Sequence, residues 1–345
     1  MVYSDILAAV SHSIGKMVGG GLTADILLFL VSCFVLIISA QMLVKSITMI
    51  AFYFRLSDFV VGFMIVALAT SIPELFIGVT SSLEGNGELS LGNVIGSNII
   101  DLTLVVGILA LLRKGIRVET KAVRTDTLYM FLVAVLPLVL VLFGGSLDKM
   151  DGFILLGAFF VYVIRLFSQQ KKFSEEEIVM RISHGEFVKN VVVSCFSIVL
   201  LLASANFLVG SSASLASDLL SPPILVGLFL ISIGTTLPEL IFGSGAILMK
   251  HKYMAFGDII GSVVANNTLV LGLVAILSKD PLQPNILIFM MSAFFMVVVA
   301  FLFTTFVEVE KHILWQEGVA LILMYVLFVI IILNIRMLEI SYGIT

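Results

Sequence analysis

Long apolar stretches alternate with short polar connections along the whole chain. Residues 26–44 and 313–333 are clear examples, and about twenty apolar residues in a helix cross the roughly 30 Å of hydrocarbon in a bilayer. A β-barrel would instead show short strands of alternating polarity. The pattern therefore predicts an all-α membrane protein. The ten predicted spans are 25–44, 58–83, 88–111, 126–144, 151–167, 189–211, 223–249, 254–277, 285–306 and 313–335.

Composition agrees with a membrane protein. Hydrophobic residues make up 60% of the 345 residues and charged residues 12%, with a mean hydropathy of +1.19. A soluble domain would carry about 25% charged residues. Cys33 and Cys195 both lie inside apolar runs, which predicts two buried thiols without redox or metal chemistry. We find no nucleophile–base set, nucleotide loop or cofactor motif, so we expect neither an enzyme nor a nucleic-acid binder, and no bound cofactor.

Lysine and arginine residues predict the orientation in the bilayer, because cytoplasmic loops are enriched in both. Successive loops between the ten spans lie on alternate sides of the membrane. The loops and span ends on one side carry 15 Lys and Arg residues, and those on the other side, together with both termini, carry 4. We therefore expect a multi-pass protein of the plasma membrane with both termini extracellular. We expect it to function as a monomer in the lipid bilayer.

The sequence matches itself at an offset of 165 residues without a gap. Between 61–107 and 226–272, 16 of 47 positions are identical, and they include Thr, Pro, Glu, Gly and Ser. Because each unit holds five spans, an odd number, the second unit should enter the membrane from the opposite side. This arrangement is an inverted repeat, for which a binding site at the membrane midplane is expected.

The repeat predicts the domain organisation. It consists of an N-terminal extracellular segment (1–24), a first five-helix repeat (25–168), a cytoplasmic linker (169–188) and a second five-helix repeat (189–345). The linker carries charges of both signs, which is typical of a solvated connection.

Three carboxylates stand out within the predicted spans: Glu74, Asp101 and Glu239. A charged residue at the centre of a bilayer costs roughly 2.5–3.5 kcal/mol on insertion scales. No Lys or Arg lies at the same depth in these spans, so the carboxylates must be protonated or neutralised by cations. This pattern predicts a cation site.

Other oxygen ligands accompany these acids at helical spacing. Thr70 and Ser71 share a face with Glu74, and the second repeat copies the arrangement. Pro73 and Pro238 each remove a helix donor and free a carbonyl oxygen. An all-oxygen set suits hard ions such as Ca²⁺ and Na⁺ rather than Zn²⁺ or Cu⁺. The predicted side-chain ligands are Glu74, Glu239, Asp101, Asn266, Thr70, Ser71, Ser97, Thr235, Thr236 and Ser262.

Some nearby residues have simpler interpretations. Gly92, Gly96, Gly257 and Gly261 are expected to allow close helix packing. Asp258 is interpreted as an acid near the start of a helix, with a role in ion transport as the less favoured alternative, so it is not among the predicted ligands. Asn98 and Asn267 have no copy in the other repeat and receive no role, while Asp126, Glu308 and Glu310 are expected at the membrane interface.

The segments ATSIPEL and GNVIGSNIID, with GTTLPEL and GDIIGSVVANN, resemble the two α-repeats of the cation/Ca²⁺ exchanger superfamily. The resemblance is greatest to prokaryotic Na⁺/Ca²⁺ exchangers. It implies Ca²⁺ bound by Glu74 and Glu239, Na⁺ bound by the wider ligand set, and contributions from the carbonyls near Ala67 and Ser232. It also implies that helices 25–44 and 189–211 slide across a rigid core, with several Na⁺ exchanged for one Ca²⁺.

This chain departs from archaeal relatives, which typically place Asn in the first repeat and Asp in the second. Here Asp101 comes first and Asn266 second, and Asp258 stands where the first repeat has Asn93. Two alternatives stay open: a Ca²⁺/H⁺ antiporter of the same superfamily, in which the carboxylates carry protons, and a cation channel.

Overall fold

The computed structural model describes residues 22–53, 70–117, 121–170, 183–218, 222–248 and 252–342. Within these residues the protein is helical except for two short strands. Eight helices are long and apolar enough to cross a membrane, and the shorter apolar helix Ile72–Leu83 adds to them. Large apolar side chains point outward from the bundle, and Phe143 is 90% exposed. These features describe a helical membrane protein. The predicted N-terminal segment, most of the predicted linker and the first half of span 58–83 lie outside the described residues.

The helices follow one another in two similar series. The first comprises α1 (Leu22–Tyr53), α2 (Ile72–Leu83), α3 (Gly87–Leu112, π-helical over Asp101–Val105), β1 (Ile116–Arg117), α4 (Lys121–Gly144) and α5 (Lys149–Gln170). The second comprises α6 (His184–Asp218), α7 (223–235, π-helical over Val226–Ile231), α8 (Leu237–Leu248), α9 (252–277, π-helical over Asn266–Val270), α10 (Ile286–Thr305, followed by the π-helical Phe306–Glu310), β2 (His312–Ile313) and α11 (Trp315–Tyr342).

Equivalent helices begin and end at the same offset as the sequence repeat. Both ends of α8 lie 165 residues after those of α2, and the two π-helical segments Asp101–Val105 and Asn266–Val270 differ by the same number. The two copies therefore share local structure as well as sequence.

Contacts between the two series come in reciprocal pairs. Gly107 of α3 packs on Gly318 of α11, and Gly272 of α9 packs on Gly152 of α5. Likewise β1 pairs with β2 through Ile116 and Ile313, and a second antiparallel bridge joins Leu147 to Leu282. Each contact has an equivalent in which the two series exchange places.

Helices α1 and α6 form a pair with its own hydrophobic cluster. Tyr53 stacks on Phe187 with ring centroids 4.2 Å apart, and Ser194 donates to Ser46 at 2.9 Å. Residue numbers rise in α1 as they fall in α6, so the two helices are antiparallel. Their buried apolar side chains pack with Ile77, Leu89 and Ile231 of the core, in a cluster separate from the larger one around α3 and α9.

Helices α3 and α7 approach at the backbone level. A Cβ atom at Gly92 would collide with the carbonyl oxygen of Ile224, and one at Gly227 with that of Leu89. Gly96 similarly lies against the Leu228 carbonyl. The packing role predicted for Gly92 and Gly96 is therefore confirmed.

The structure corrects one sequence prediction outside the site and adds detail to a second. Cys33 is buried, but Cys195 is exposed on α6, because its position faces away from α1. Asp126 is 2% exposed and pairs with Arg165 at 3.6 Å, and its location at the membrane interface stays a prediction. In both cases the neighbouring helix, which is distant in sequence, decides the environment.

Candidate cation-binding site

Polar side chains from α2, α3 and α7 meet in a first cluster, which we call half-site 1: Glu74, Asn93, Ser97 and Thr235. Ser97 donates to Oε1 of Glu74 at 3.3 Å, and its hydroxyl lies 3.1 Å from that of Thr235. Thr235 donates to Oδ1 of Asn93 at 3.2 Å. All four side chains are fully buried.

A second cluster, half-site 2, contains the equivalent residues Thr70, Glu239, Asp258 and Ser262. Thr70 donates to Oδ1 of Asp258 at 2.8 Å, and its hydroxyl lies 3.0 Å from that of Ser262. The same pattern of hydrogen bonds joins Thr235, Asn93 and Ser97, each of which lies 165 residues from its equivalent in half-site 2. The two half-sites differ in two respects: half-site 2 has a carboxylate where half-site 1 has an amide, and Glu239 accepts no hydrogen bond from the described residues whereas Glu74 accepts one from Ser97.

The two π-helical segments begin at Asp101 and Asn266. Single π-turns within α-helices occur frequently at functional sites. Asn266 donates through Nδ2 to Oδ1 of Asn98 at 3.2 Å, and Asn98 donates to the Met296 sulfur at 3.5 Å. Asp101 and Asn266 are both fully buried.

Many acceptor oxygens in this region have no hydrogen-bond partner among the described residues. They are Glu74 Oε2, both carboxylate oxygens of Asp101 and Glu239, Asp258 Oδ2 and Asn266 Oδ1. Buried polar atoms are normally paired, because an unpaired one costs about 1–3 kcal/mol. These acceptors on acids and an amide are what a cation requires, and they outnumber the one unpaired donor of the half-sites, Nδ2 of Asn93.

The four acids also lie close enough to interact electrostatically. The charges of Glu74 and Asp258 act on Asp101, and all three of these acids act on Glu239. Within the described part of the chain, no Lys or Arg forms an ion pair with any of them, since the ion pairs there involve Asp126 and Glu339. This concentration of negative charge in a membrane interior needs mobile cations or protons for balance.

No three His, Cys, Asp or Glu side chains of the described residues are close enough to hold one metal ion by themselves. The acids are distributed over both half-sites and the π-helical segments. An ion bound here would therefore need hydroxyl, amide or carbonyl oxygens as well as carboxylates, consistent with the oxygen-rich coordination of Ca²⁺.

Four further predicted ligands are not part of either half-site. Thr236 donates to the Ser232 carbonyl at 2.8 Å, and Ser232 donates to the Leu228 carbonyl at 2.6 Å. Both hydroxyls donate within their own helix, as Ser and Thr often do, and keep oxygen lone pairs that a cation could use. The contribution expected at position 232 is that of its backbone carbonyl, which accepts the hydrogen bond from Thr236. Ser71 is buried at the turn before α2, and Ala67 lies outside the described residues. The ligand roles of these four residues stay predictions.

Three residues in this region received no ligand role from the sequence: Asn93, Asn98 and Asp258. Asp258 is not near a helix start, because α9 begins at Lys252, and its side chain is 2% exposed. The interpretation as a helix-start acid is therefore wrong. The available signal was the repeat itself, which aligns Asp258 with Asn93 and both with a Gly-x-x-x-Gly segment.

At one end of α2 and α3, the loop 84–86 carries Glu84, which accepts a hydrogen bond from Asn206 of α6 at 3.0 Å. Partial burial raises the pKa of Glu84 to about 7. An open cavity lies beside this loop, lined among others by Asn86, Glu88 and Asp280. This contact joins the α1–α6 pair to the remainder of the bundle.

Comparison with known families decides the class of this protein. The family described as sodium/calcium exchanger protein matches residues 24–168 and 189–334. The chain belongs to the sodium/calcium exchanger family. The exchanger is therefore a transporter of the cation/Ca²⁺ exchanger superfamily and not an enzyme, and its ions are substrates rather than cofactors.

The exchanger resembles characterised members along most of its length. It is 27% identical to the sodium/calcium exchanger MaX1 of Methanosarcina acetivorans, over 91% of this chain and all of that protein. Its fold matches the sodium–calcium exchanger NCX_Mj with a TM-score of 0.62 at 23% identity, over 90% of this chain and 99% of that one. It also matches the H⁺/Ca²⁺ exchanger CAX with a TM-score of 0.72 at 14% identity, over 99% and 93%. The two structural matches establish the helical fold alone.

Proposed function

We propose that this exchanger is an electrogenic Na⁺/Ca²⁺ antiporter that extrudes Ca²⁺ as Na⁺ enters. The observation that carries the proposal is the group of four buried acids without a basic partner among the described residues, interleaved with hydroxyl and amide oxygens. Oxygen ligands suit both Ca²⁺ and Na⁺. The name and extent of the relative MaX1 favour Na⁺ as the driving ion.

Competition for shared carboxylates accounts for exchange. Glu74 and Glu239 are the proposed Ca²⁺ ligands, and Na⁺ uses the same acids together with Ser97, Thr70 and Ser262. Occupancy by one ion then excludes the other. A partly filled site retains unbalanced charge, which resists movement through an apolar barrier, so that leak is suppressed.

The proposed architecture is ten spans in two inverted repeats with the site near the midplane. The reciprocal contacts Gly107–Gly318 and Gly152–Gly272 support it, since a two-fold axis exchanges them. The antiparallel course of the equivalent helices α1 and α6 supports an opposite orientation of the repeats. Inverted repeats underlie alternating access in many transporters.

The distribution of Lys and Arg supports a plasma-membrane exchanger with extracellular termini. We propose that it works as a monomer, because both half-sites are built from one chain. The α1–α6 pair is the proposed moving element, since its buried apolar residues belong to a cluster separate from the larger one around α3 and α9.

The test uses purified protein in Na⁺-loaded liposomes. Dilution into Na⁺-free medium should drive ⁴⁵Ca²⁺ uptake, and a voltage-sensitive dye should report net charge movement. Glu74→Gln and Glu239→Gln should lower uptake to the level of protein-free liposomes, because each removes a proposed Ca²⁺ ligand. Asp280→Asn, a matched change at an exposed acid, should leave uptake unchanged.

The same liposomes separate the alternatives. The fold match to CAX makes Ca²⁺/H⁺ exchange the second candidate. Uptake driven by a pH gradient without Na⁺, and indifferent to a Na⁺ gradient, would replace Na⁺ by H⁺ in the proposal. Ca²⁺ flux that needs no counter-ion would instead indicate a channel.

A further inference from the structure

The two half-sites share the hydrogen bonds between threonine, serine and Asn93 or Asp258, and they are unequal in charge. Half-site 1 has the neutral Asn93 where half-site 2 has Asp258, yet both accept a hydrogen bond from the threonine of the opposite repeat, at 3.2 and 2.8 Å. The hydrogen bond itself needs only an acceptor oxygen, which an amide supplies in half-site 1. The carboxylate of Asp258 therefore adds a charge that this packing does not require.

The second oxygen of Asp258 shows where that charge is directed. Oδ2 is buried and has no hydrogen-bond partner among the described residues. The side chain is 2% exposed, so bulk water does not supply the missing hydrogen-bond partner. The hydroxyl of Ser262 lies 3.0 Å from that of Thr70, beside the same carboxylate. A carboxylate with two hydroxyls is a suitable set for a hard monovalent cation.

We propose that Asp258 is a fourth ion-coordinating carboxylate, which holds Na⁺ in half-site 2 together with Thr70 and Ser262. This inference rests on the proposed Na⁺/Ca²⁺ exchange at the same site. Ca²⁺ on Glu74 and Glu239 would balance two of the four buried charges and leave Asp101 and Asp258 to monovalent ions. The protein would thus bind one more monovalent cation than a chain with asparagine at position 258.

Equilibrium binding to the purified protein tests the assignment without transport. Na⁺ binding is measured directly with ²²Na⁺ and by its competition with ⁴⁵Ca²⁺. Asp258→Asn keeps an acceptor for Thr70 and removes the charge, so a residue that only positions Thr70 would tolerate it. We expect its apparent Na⁺ affinity to fall at least ~tenfold, which is about 1.4 kcal/mol. We also expect a lower Hill coefficient for Na⁺.

The pseudo-symmetry supplies a matched control. The exchange Asn93→Asp with Asp258→Asn restores the number of carboxylates by moving one to half-site 1, and it should recover Na⁺ affinity to within about threefold of wild type. Should Asp258→Asn fail to fold, Asn93→Asp alone gives a second reading, since an added carboxylate at the equivalent position should strengthen Na⁺ binding.

An apparent Na⁺ affinity of Asp258→Asn within about twofold of wild type would overturn the inference. So would an unchanged affinity in Asn93→Asp if the first variant cannot be purified. Either result leaves Na⁺-driven uptake by the wild type intact as evidence for antiport. If the wild type shows no Na⁺-driven uptake but its Na⁺ binding depends on Asp258, antiport is overturned and this subsite is retained.

Discussion

At the scale of single residues, hydroxyl groups in this exchanger fall into two classes that sequence alone does not separate. Ser82 and Thr304 donate to the carbonyl four residues earlier in their own helix, at 2.8 and 2.7 Å. Ser97 and Thr70 instead donate to carboxylates of other helices. A hydroxyl that turns away from its own helix gives up a hydrogen bond to a backbone carbonyl. The hydrogen bond to a carboxylate that replaces it is stronger, because hydrogen bonds to charged groups contribute about 1.5–3 kcal/mol.

This difference predicts the effect of removing a hydroxyl. Ser97→Ala should weaken Ca²⁺ and Na⁺ binding about tenfold, because Glu74 loses a donor and the ions lose an oxygen. Ser82→Ala, one helix away and equally buried, should change neither affinity. Titration calorimetry on the two purified variants makes the comparison. Equal affinities in both variants would mean that Ser97 does not contact an ion.

At the scale of helices, glycines rather than large apolar residues decide how α3 and α7 meet. The Cα atoms of Gly92 and Gly227 lie against carbonyl oxygens of the facing helix. Small residues at such contacts let helix backbones approach closely in a membrane. The approach also positions the site, since α3 carries Asn93 and Ser97 and α7 carries Thr235.

The close approach predicts a strong position dependence of glycine substitutions. Gly92→Ala should destabilise the protein by about 3 kcal/mol, because the new methyl group meets a backbone carbonyl that cannot move aside. Gly157→Ala in α5, where a Cβ has no neighbour within 4 Å, should be neutral or slightly stabilising. Thermal unfolding in detergent measures both. A Gly92→Ala protein as stable as Gly157→Ala would show that α3 and α7 are not in direct backbone contact.

At the scale of the whole molecule, the proposed motion of α1 and α6 against the rest can be tested at two contacts. Ser46 and Ser194 lie within the pair, whereas Glu84 and Asn206 join α6 to the loop between α2 and α3. A covalent link between positions 46 and 194 would move with the pair. A covalent link between positions 84 and 206 would instead fix the pair to the remainder of the bundle.

Cysteine pairs at these contacts should therefore behave differently. In a background with Cys33→Ala and Cys195→Ala, a short thiol cross-linker on Glu84→Cys with Asn206→Cys should abolish Na⁺-driven Ca²⁺ uptake. A reducing agent should restore it if the linker contains a disulfide. Oxidised Ser46→Cys with Ser194→Cys should keep uptake, which serves as the control. Full uptake with the first link in place would exclude sliding of α6 past this loop.

Much of this architecture is encoded in local sequence pattern. Apolar runs predict helices because a bilayer leaves no other partner for the backbone, and the 165-residue repeat predicts matching helices in both halves. The acids Glu74, Asp101 and Glu239 can be picked out as candidate site residues, because a carboxylate in an apolar span is costly unless a cation or a proton balances its charge. The α2 and α8 boundaries at the two Ser/Thr–x–Pro–Glu segments follow from proline as well.

Tertiary structure alone decides which of these groups meet. Asp258 is taken for a helix-start acid until α9 is seen to begin at Lys252, and its partner Thr70 is 188 residues away. The same holds for Thr235 with Asn93, at a separation of 142 residues. The local sequence pattern determines which side chains each segment must bury. The pairing of polar atoms that are distant in sequence depends on how the helices pack, and no short-range property of the chain determines that packing.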